Sequence, residues 1–412
     1  MSIHTLDQIY SNDALAMQRE RYDSAVKRFA AMYGGAPERV FSAPGRTEVG
    51  GNHTDHNYGR VMAAGVSLDV IAMVTATDDG VISIKSEGFP LDTVDTAGLT
   101  VHTDEEGTSA SLIRGVAAGF AKNGHKIGGF KAYTTSNVLK GSGLSSSAAF
   151  EVLVGNILNG LYNEHSVSDV EIAQISQYAE NDYFGKPSGL MDQMASSVGG
   201  FITIDFADPS KPVIEAIDFD LAKYGHSLCI VDTKGSHADL TPEYAAIPKE
   251  MKEVAGFFGK EVLRGVAKED ILANLAELKA KFGDRAVLRA LHFVDDNERV
   301  LREADALRKG DIDSFLKEVR ASGRSSYMFL QNVFAVSDPS QQGLSTALYL
   351  AENVLGERGA FRVHGGGFAG TIQAFVPDDL LDKFRSTMEA AFGEGSCYVL
   401  SIRPFGGTEV KL

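Results

Sequence analysis

Ten residues, KGSGLSSSAA from Lys140 to Ala149, constrain this chain more than any other stretch. They lie between FKAYTTSNV, whose alternation predicts a strand, and AAFEVLVGNILNGLY, whose apolar residues recur at the spacing of a buried helix. By composition alone the ten residues describe a Gly/Ser linker equally well. Their position separates the two readings. A glycine-rich turn from a strand into an apolar helix places free amides at the helix N-terminus, where the dipole favours an anion. Small residues let the backbone close on phosphate oxygens, and the serine hydroxyls add donors or metal ligands. The Gly-Lys-Ser/Thr ending of a Walker A loop is absent, and the lysine precedes the glycines. The stretch is read as a phosphate cradle of another kind.

Three further stretches carry chemistry. HGGGFAG holds Gly365, Gly367 and Gly370 in the G-x-G-x-x-G spacing of a dinucleotide fingerprint. That fingerprint needs a helix directly after it, whereas TIQAFV follows, alternating and rich in β-formers. A tight strand–loop–strand connection is expected instead, with Gly366 and Gly367 beside nucleotide phosphates and no nicotinamide or flavin. GGNHTDHNYG, Gly50 to Gly59, crowds two histidines, an aspartate and two asparagines between glycines. Zinc is disfavoured because no further ligands stand at suitable spacing. AENDYFGKPSGLMDQMASSVGG places Asp192 among Leu190, Met191 and Met194, with Glu180 twelve residues earlier on a predicted helix. An acid in such a run is commonly a helix cap or an ion-pair partner, and Glu180 alone reads as a solvated face.

Around these motifs the pattern is mixed. A helix is predicted over 13–32, strands over 66–77 and 81–86, and a helix in SLIRGVAAGFAKNG ending at Gly124. GGFITIDF and HSLCIVDT predict strands, 242–330 is mostly helical, and the tail runs strand, helix (about 378–392), strand. That order predicts an α+β protein in two lobes rather than a strict βαβ array. The 412-residue length agrees with two units. With 39 basic against 55 acidic side chains, net −16, a nucleic-acid or anionic-membrane surface is not expected. Cys229 and Cys397 are too few for a disulfide framework or a cysteine zinc site. No apolar run approaches the roughly 18 residues of a membrane span, and the opening residues lack a secretory h-region, so a cytoplasmic location is expected.

Taken together, the motifs resemble the galactokinases, within the larger group of galacto-, homoserine, mevalonate and phosphomevalonate (GHMP) kinases. The galactokinase signature G-R-x-N-L-I-G-E-H-T-D-Y-N-x-G corresponds to GRTEVGGNHTDHNYG, Gly45 to Gly59. GSGLSSSAA, GLMDQ and HGGGFAG match the remaining motifs in order, with smaller echoes in TPEYAAIPKEM and HFVDDNERV. The resemblance implies an N-terminal domain like ribosomal protein S5 (1–212) and a ferredoxin-like C-terminal domain (213–412), with ATP and a sugar meeting between them. It implies an ATP-dependent sugar 1-kinase, galactose being the leading substrate. The alternatives are a kinase for a C6-modified sugar such as galacturonate, or a sugar sensor without catalysis. No partner beyond the sugar and ATP is implied, and a monomer or weak homodimer is expected.

The same resemblance assigns roles. Asp192 matches the base at the anomeric hydroxyl, and Arg46 the arginine that keeps it ionised. Gly141, Ser142, Gly143, Leu144, Ser145, Ser146 and Ser147 match the phosphate loop. Ser147 and Glu180 match the holders of Mg2+, whose preference is for oxygen. His53, Asp55 and Tyr244 match sugar ligands. Asn52 stands where the family has a glutamate that accepts from the sugar's C6 hydroxyl, His56 replaces its tyrosine, and Glu48 its asparagine. Asn52 is therefore expected at the sugar's C6, leaving C6 identity open.

Overall fold

A computed structural model describes residues 3–138, 143–235 and 240–412. Its frame is set by the longest β-rich run in the chain, RVMAAGVSLDVIAMVTAT, which forms an 18-residue strand, β3 (Arg60–Thr77). β-branched and small residues suit a strand enclosed on both faces. In chain order the others are β1 (Ile3–Thr5), β2 (Arg39–Gly50), β4 (Val81–Ser86), β5 (Leu91–Asp95), β6 (Gly129–Ser136), β7 (Phe201–Asp205), β8 (Val213–Ile217), β9 (His226–Asp232), β10 (Ala360–Val363), β11 (Thr371–Pro377), β12 (Cys397–Leu400) and β13 (Thr408–Lys411).

β2 pairs antiparallel with β3, and its register shifts between Pro44 and Arg46 and again between Glu48 and Gly50. Bulges of this kind bend a strand and re-aim its side chains. Here they fall on the signature that ends in the turn 51–59. β7 pairs the first part of β3 and β6 the last part, giving the order β1-β13-β2-β3-β6-β4-β5, with β7 alongside β3 and β8 beyond β7. The helices Ser109–Lys122 and Ser146–Asn163 bury Val116, Phe120, Leu153 and Ile157 in one core with Phe41, Ala72 and Val74 of this sheet. Helix Leu15–Tyr33 joins the separate cluster around Ile71, Met73 and Tyr133.

The second sheet, β10-β11-β9-β12, is antiparallel throughout. Helices Gly343–Leu355 and Leu381–Phe392 cluster with Cys229, Val231, Ile372 and Ala374 of that sheet. Phe315, from the helix Ile312–Ser325, meets Phe375 edge-on. A helical layer, Thr241–Phe257 through Asp284–Arg308, has its own core around Ile247, Met251 and Phe293.

Most predicted elements are present, and HGGGFAG is the expected strand–loop–strand connection, between β10 and β11. The expected division at 212/213 does not follow the sheets. β8 pairs with β7 and β13 pairs with β2, so the first sheet draws strands from 213–217 and 408–411, and the second begins at His226. β8 is a short strand that folds back on β7 just before it in sequence, and β13 is a four-residue strand held between β1 and β2, partners near the other end of the chain, which local alternation does not reveal. Among the described residues no helix is long and apolar enough to cross a membrane.

Candidate active site

The expected phosphate loop and the signature strand are joined through the backbone. The Arg46 N–H donates to the Leu144 carbonyl at 3.0 Å, and the Arg46 guanidinium donates to the Gly143 carbonyl. Leu144 is fully buried, so its side chain serves the core while its main chain shapes the loop. Ser145 has φ +56°, a left-handed conformation uncommon outside glycine, and the helix begins at Ser146. Gly143 must be small: a Cβ there would lie 3.0 Å from His364 Nδ1 and 3.2 Å from Thr371 Oγ1 of the second sheet. The expected loop residues Gly141 and Ser142 lie outside the described residues.

Asp192, in the first turn of helix Met191–Val198, meets both elements. Arg46 Nε donates to its Oδ1 at 2.7 Å and Ser145 Oγ to its Oδ2 at 2.8 Å. Its side chain is 23% exposed, open to the cleft. Burial alone would raise its pKa, but the Arg46 charge and the hydrogen bonds from Arg46 and Ser145 hold the carboxyl below its ordinary value. Asp192 is thus ionised and oriented.

Glu180 lies in a π-helical turn, Ala179–Tyr183. Ser147 Oγ donates to its Oε1 at 2.9 Å, which brings together the pair expected to hold Mg2+. Gln193 Nε2 donates to its Oε2 at 2.7 Å and to Glu151 at 3.1 Å. Burial, reinforced by the charge of Glu180, pushes the Glu151 carboxyl well above its ordinary pKa. Among the described residues no cluster of three His, Cys, Asp or Glu side chains could hold a metal alone. Magnesium takes one or two protein carboxylates and completes its shell with substrate phosphates and water. The hard oxygens of Ser147 and Glu180, beside a helix N-terminus, suit that ion.

At the other end of the cleft stands the turn 51–59. His53 adopts φ +58°, and its Nε2 lies 3.0 Å from the Gly366 carbonyl. A carbonyl only accepts, so Nε2 carries the proton and Nδ1 is an acceptor. Nδ1 is buried and has no hydrogen-bond partner among the described residues. Burial, with His56 close by, lowers the His53 pKa to about 4, so the ring is neutral at pH 7. Asp55 lies beside Gly189, where a Cβ would approach its Oδ2 to 2.6 Å. The signature aspartate therefore faces the start of GLMDQ.

One expectation is corrected here. Asn52 does not present its amide to the cleft. It is 0% exposed, and its Nδ2 donates to Glu48 Oε1 at 2.9 Å and to the Gly365 carbonyl at 2.8 Å. Its Oδ1 accepts from Ser326 at 3.1 Å and Asn332 at 2.8 Å. The amide is saturated, and its work is to tie the signature turn to the second lobe. Glu48 is anchored in turn by Arg362 at 2.6 Å, both side chains being nearly inaccessible.

Gly366 and Gly367 are held through their carbonyls. Asn332 donates to the Gly366 carbonyl at 3.1 Å, and Tyr244 donates to that of Gly367 at 2.8 Å. They border the His53–Tyr244 end of the cleft, while His364 and Thr371 face the phosphate loop. Sequence reasoning missed His364, which bridges the lobes: its Nε2 is 3.1 Å from Thr47 Oγ1 and its Nδ1 3.0 Å from Thr371 Oγ1. It also missed Gln193 and Lys186. The only signals for these were a glutamine directly after Asp192 and a lysine in an otherwise small-residue turn.

Comparison with known proteins agrees with this geometry. The profile of the GHMP kinases N terminal domain matches residues 111–200, and that of the galactokinase galactose-binding signature matches 27–76. The galactokinase of Streptomyces coelicolor is 34% identical over 373 residues, covering 89% of this chain and 92% of that protein. The galactokinase of Haemophilus influenzae is 32% identical, covering 88% and 91%. Among solved structures, Lactococcus lactis galactokinase complexed with galactose superposes with a TM-score of 0.80 at 25% identity, covering 94% of this chain and 99% of that one.

Proposed function

This chain belongs to the galactokinase family of GHMP kinases, and from that premise we propose that it converts D-galactose and ATP to α-D-galactose 1-phosphate and ADP. The observation that carries the proposal is the meeting of Arg46, Ser145 and Asp192 at the mouth of the phosphate loop. Phosphoryl transfer needs a polyphosphate cradle, neutralising charge and an oriented hydroxyl in line with the γ-phosphorus. The turn 143–147 and the helix that follows supply the cradle. Arg46 supplies charge and fixes Asp192. The unpaired Nδ1 of His53 accepts one sugar hydroxyl, Asp55 accepts others, and Tyr244 with Gly366 and Gly367 walls the sugar end.

In the reaction the anomeric oxygen forms a bond to the γ-phosphorus as the bond to the ADP oxygen breaks. Its proton passes to a carboxylate oxygen of Asp192. That carboxylate is a weak base because Arg46 stabilises its ionised form, so the proton moves late, when the anomeric oxygen has lost most of its charge to phosphorus. Ser147 and Glu180 are proposed to hold Mg2+, which when bound neutralises the phosphate oxygens. A coupled assay of ADP release, with galactose and galacturonate run in parallel, tests the assignment. Turnover with galactose upholds it; turnover with galacturonate alone reassigns the substrate, and none with either sugar favours a sensor.

A further inference from the structure

Glu180 is 1% exposed on its side chain, yet its two oxygens receive four donors. Oε1 accepts from Ser147 at 2.9 Å and from Lys186 Nζ at 2.8 Å. Oε2 accepts from Ser188 and from Gln193, each at 2.7 Å. A carboxylate offers about four lone-pair sites, so a metal ion can reach this one only if a donor leaves. Three of the four are committed. Ser147 is the companion ligand. Gln193 is fully buried and also holds Glu151, and Ser188 is tied through its backbone to Asn181 and Gln177.

Lys186 differs from them. Its side chain is 55% exposed, and its ammonium has no other hydrogen bond or ion pair among the described residues. Its N–H donates to the Glu180 carbonyl at 3.1 Å, which anchors the stem beside the carboxylate while leaving the four-carbon arm free to swing.

We propose that Lys186 is a placeholder cation: its ammonium neutralises Glu180 in the nucleotide-free enzyme and leaves when the metal–nucleotide complex arrives. A buried carboxylate without a counter-charge is costly, so the device keeps the site preformed. The same contact sets a competition, since every metal ion bound must break the Lys186 ion pair. This inference rests on the reading of Ser147 and Glu180 as the magnesium site.

The test uses Mn2+ as a spin probe, its binding to the enzyme in the presence of ADP followed by electron paramagnetic resonance, for wild type, Lys186→Met and Glu180→Gln. Methionine keeps most of the stem and removes the charge. Loss of a largely exposed ion pair corresponds to about two- to fivefold tighter Mn2+ binding. Lys186→Met is expected to show that gain, a lower Tm without metal, and a larger Tm rise on adding Mn2+ and ADP. Equal or weaker Mn2+ binding by a folded Lys186→Met enzyme overturns the placeholder role. Mn2+ binding by Glu180→Gln at wild-type strength overturns the site reading itself, and the inference with it.

Discussion

Asn52→Asp is the sharpest probe of the signature turn, because it changes one atom's chemistry and almost no volume. The aspartate keeps an oxygen to accept from Ser326 and Asn332, but the atom that donated to Glu48 and Gly365 becomes a second carboxylate oxygen. It then faces Glu48 Oε1 at the 2.9 Å now spanned by a hydrogen bond. Two unit charges about 4 Å apart at an effective dielectric near 20 repel by roughly 4 kcal/mol. The pair relieves this by taking up a proton, so the folded-state pKa of the pair lies above the unfolded carboxylate value of about 4.

The sign of the pH dependence follows. A group whose folded pKa is raised contributes stability below its unfolded pKa and loses it as pH rises through the folded pKa. The mutant's deficit is therefore smallest near pH 4 and grows by up to about 1.4 kcal/mol per pH unit until the shared proton is lost. Urea unfolding of wild type and mutant at pH 5 and pH 8 measures it. Glu48→Gln in the mutant background is expected to recover most of the pH 8 loss, although Arg362 then loses its charged partner. A deficit of equal size at both pH values, with no recovery in the double mutant, would refute the reasoning: Asn52 and Glu48 would not be a coupled pair.

Three further expectations concern the cleft. Asp192→Asn is expected to fold with a Tm near wild type while turnover falls at least about a hundredfold; near-normal turnover removes Asp192 from the mechanism. Gly367 has φ +81°, and a Cβ there would lie 2.0 Å from the Asn332 carbonyl oxygen. Gly367→Ala should cost on the order of 1–3 kcal/mol and raise KM for sugar more than for ATP, and the opposite ranking of the two KM values would place this loop on the nucleotide. His53, lowered to about 4 by burial and by His56, should stay neutral down to that pH in ring-nitrogen NMR, whereas a midpoint near 6.5 would show that its Nδ1 faces bulk water.

What could be read from the sequence, and what could not, divides by distance along the chain. The helix after the glycine-rich stretch was legible because a strand, small residues and an apolar run follow one another directly. Asp192 and Glu180 were assigned by resemblance, and the structure adds their partners. The role of Asn52 was not legible. Substitution of the family glutamate drew attention to the sugar, but the partners that saturate its amide include Gly365, Ser326 and Asn332, more than 270 positions away. The Arg362–Glu48 pair spans 314 positions and the His364–Thr47 bridge 317. Such contacts exist only once the two sheets are apposed, and no periodicity encodes them. β13 escaped for the same reason, since its partners β1 and β2 lie near the other end of the chain.

Those long-range pairs also answer an electrostatic question that composition raises. A chain of net charge −16 disfavours a polyanionic nucleotide at a distance. At about 0.15 M salt, however, the Debye length is near 8 Å, so charges far from the cleft are largely screened and nearby groups decide. Three buried acids there each have a cation: Asp192 has Arg46, Glu180 has Lys186, and Glu48 has Arg362. Those three acids are thus neutralised before substrate arrives, while the helix that starts at Ser146 contributes the partial positive charge of its N-terminus. Removing any one of these cations should therefore weaken nucleotide binding by exposing the acid behind it, more than the loss of a single positive contact would. Lys186 is the exception that the placeholder role requires, because the metal ion takes over its task.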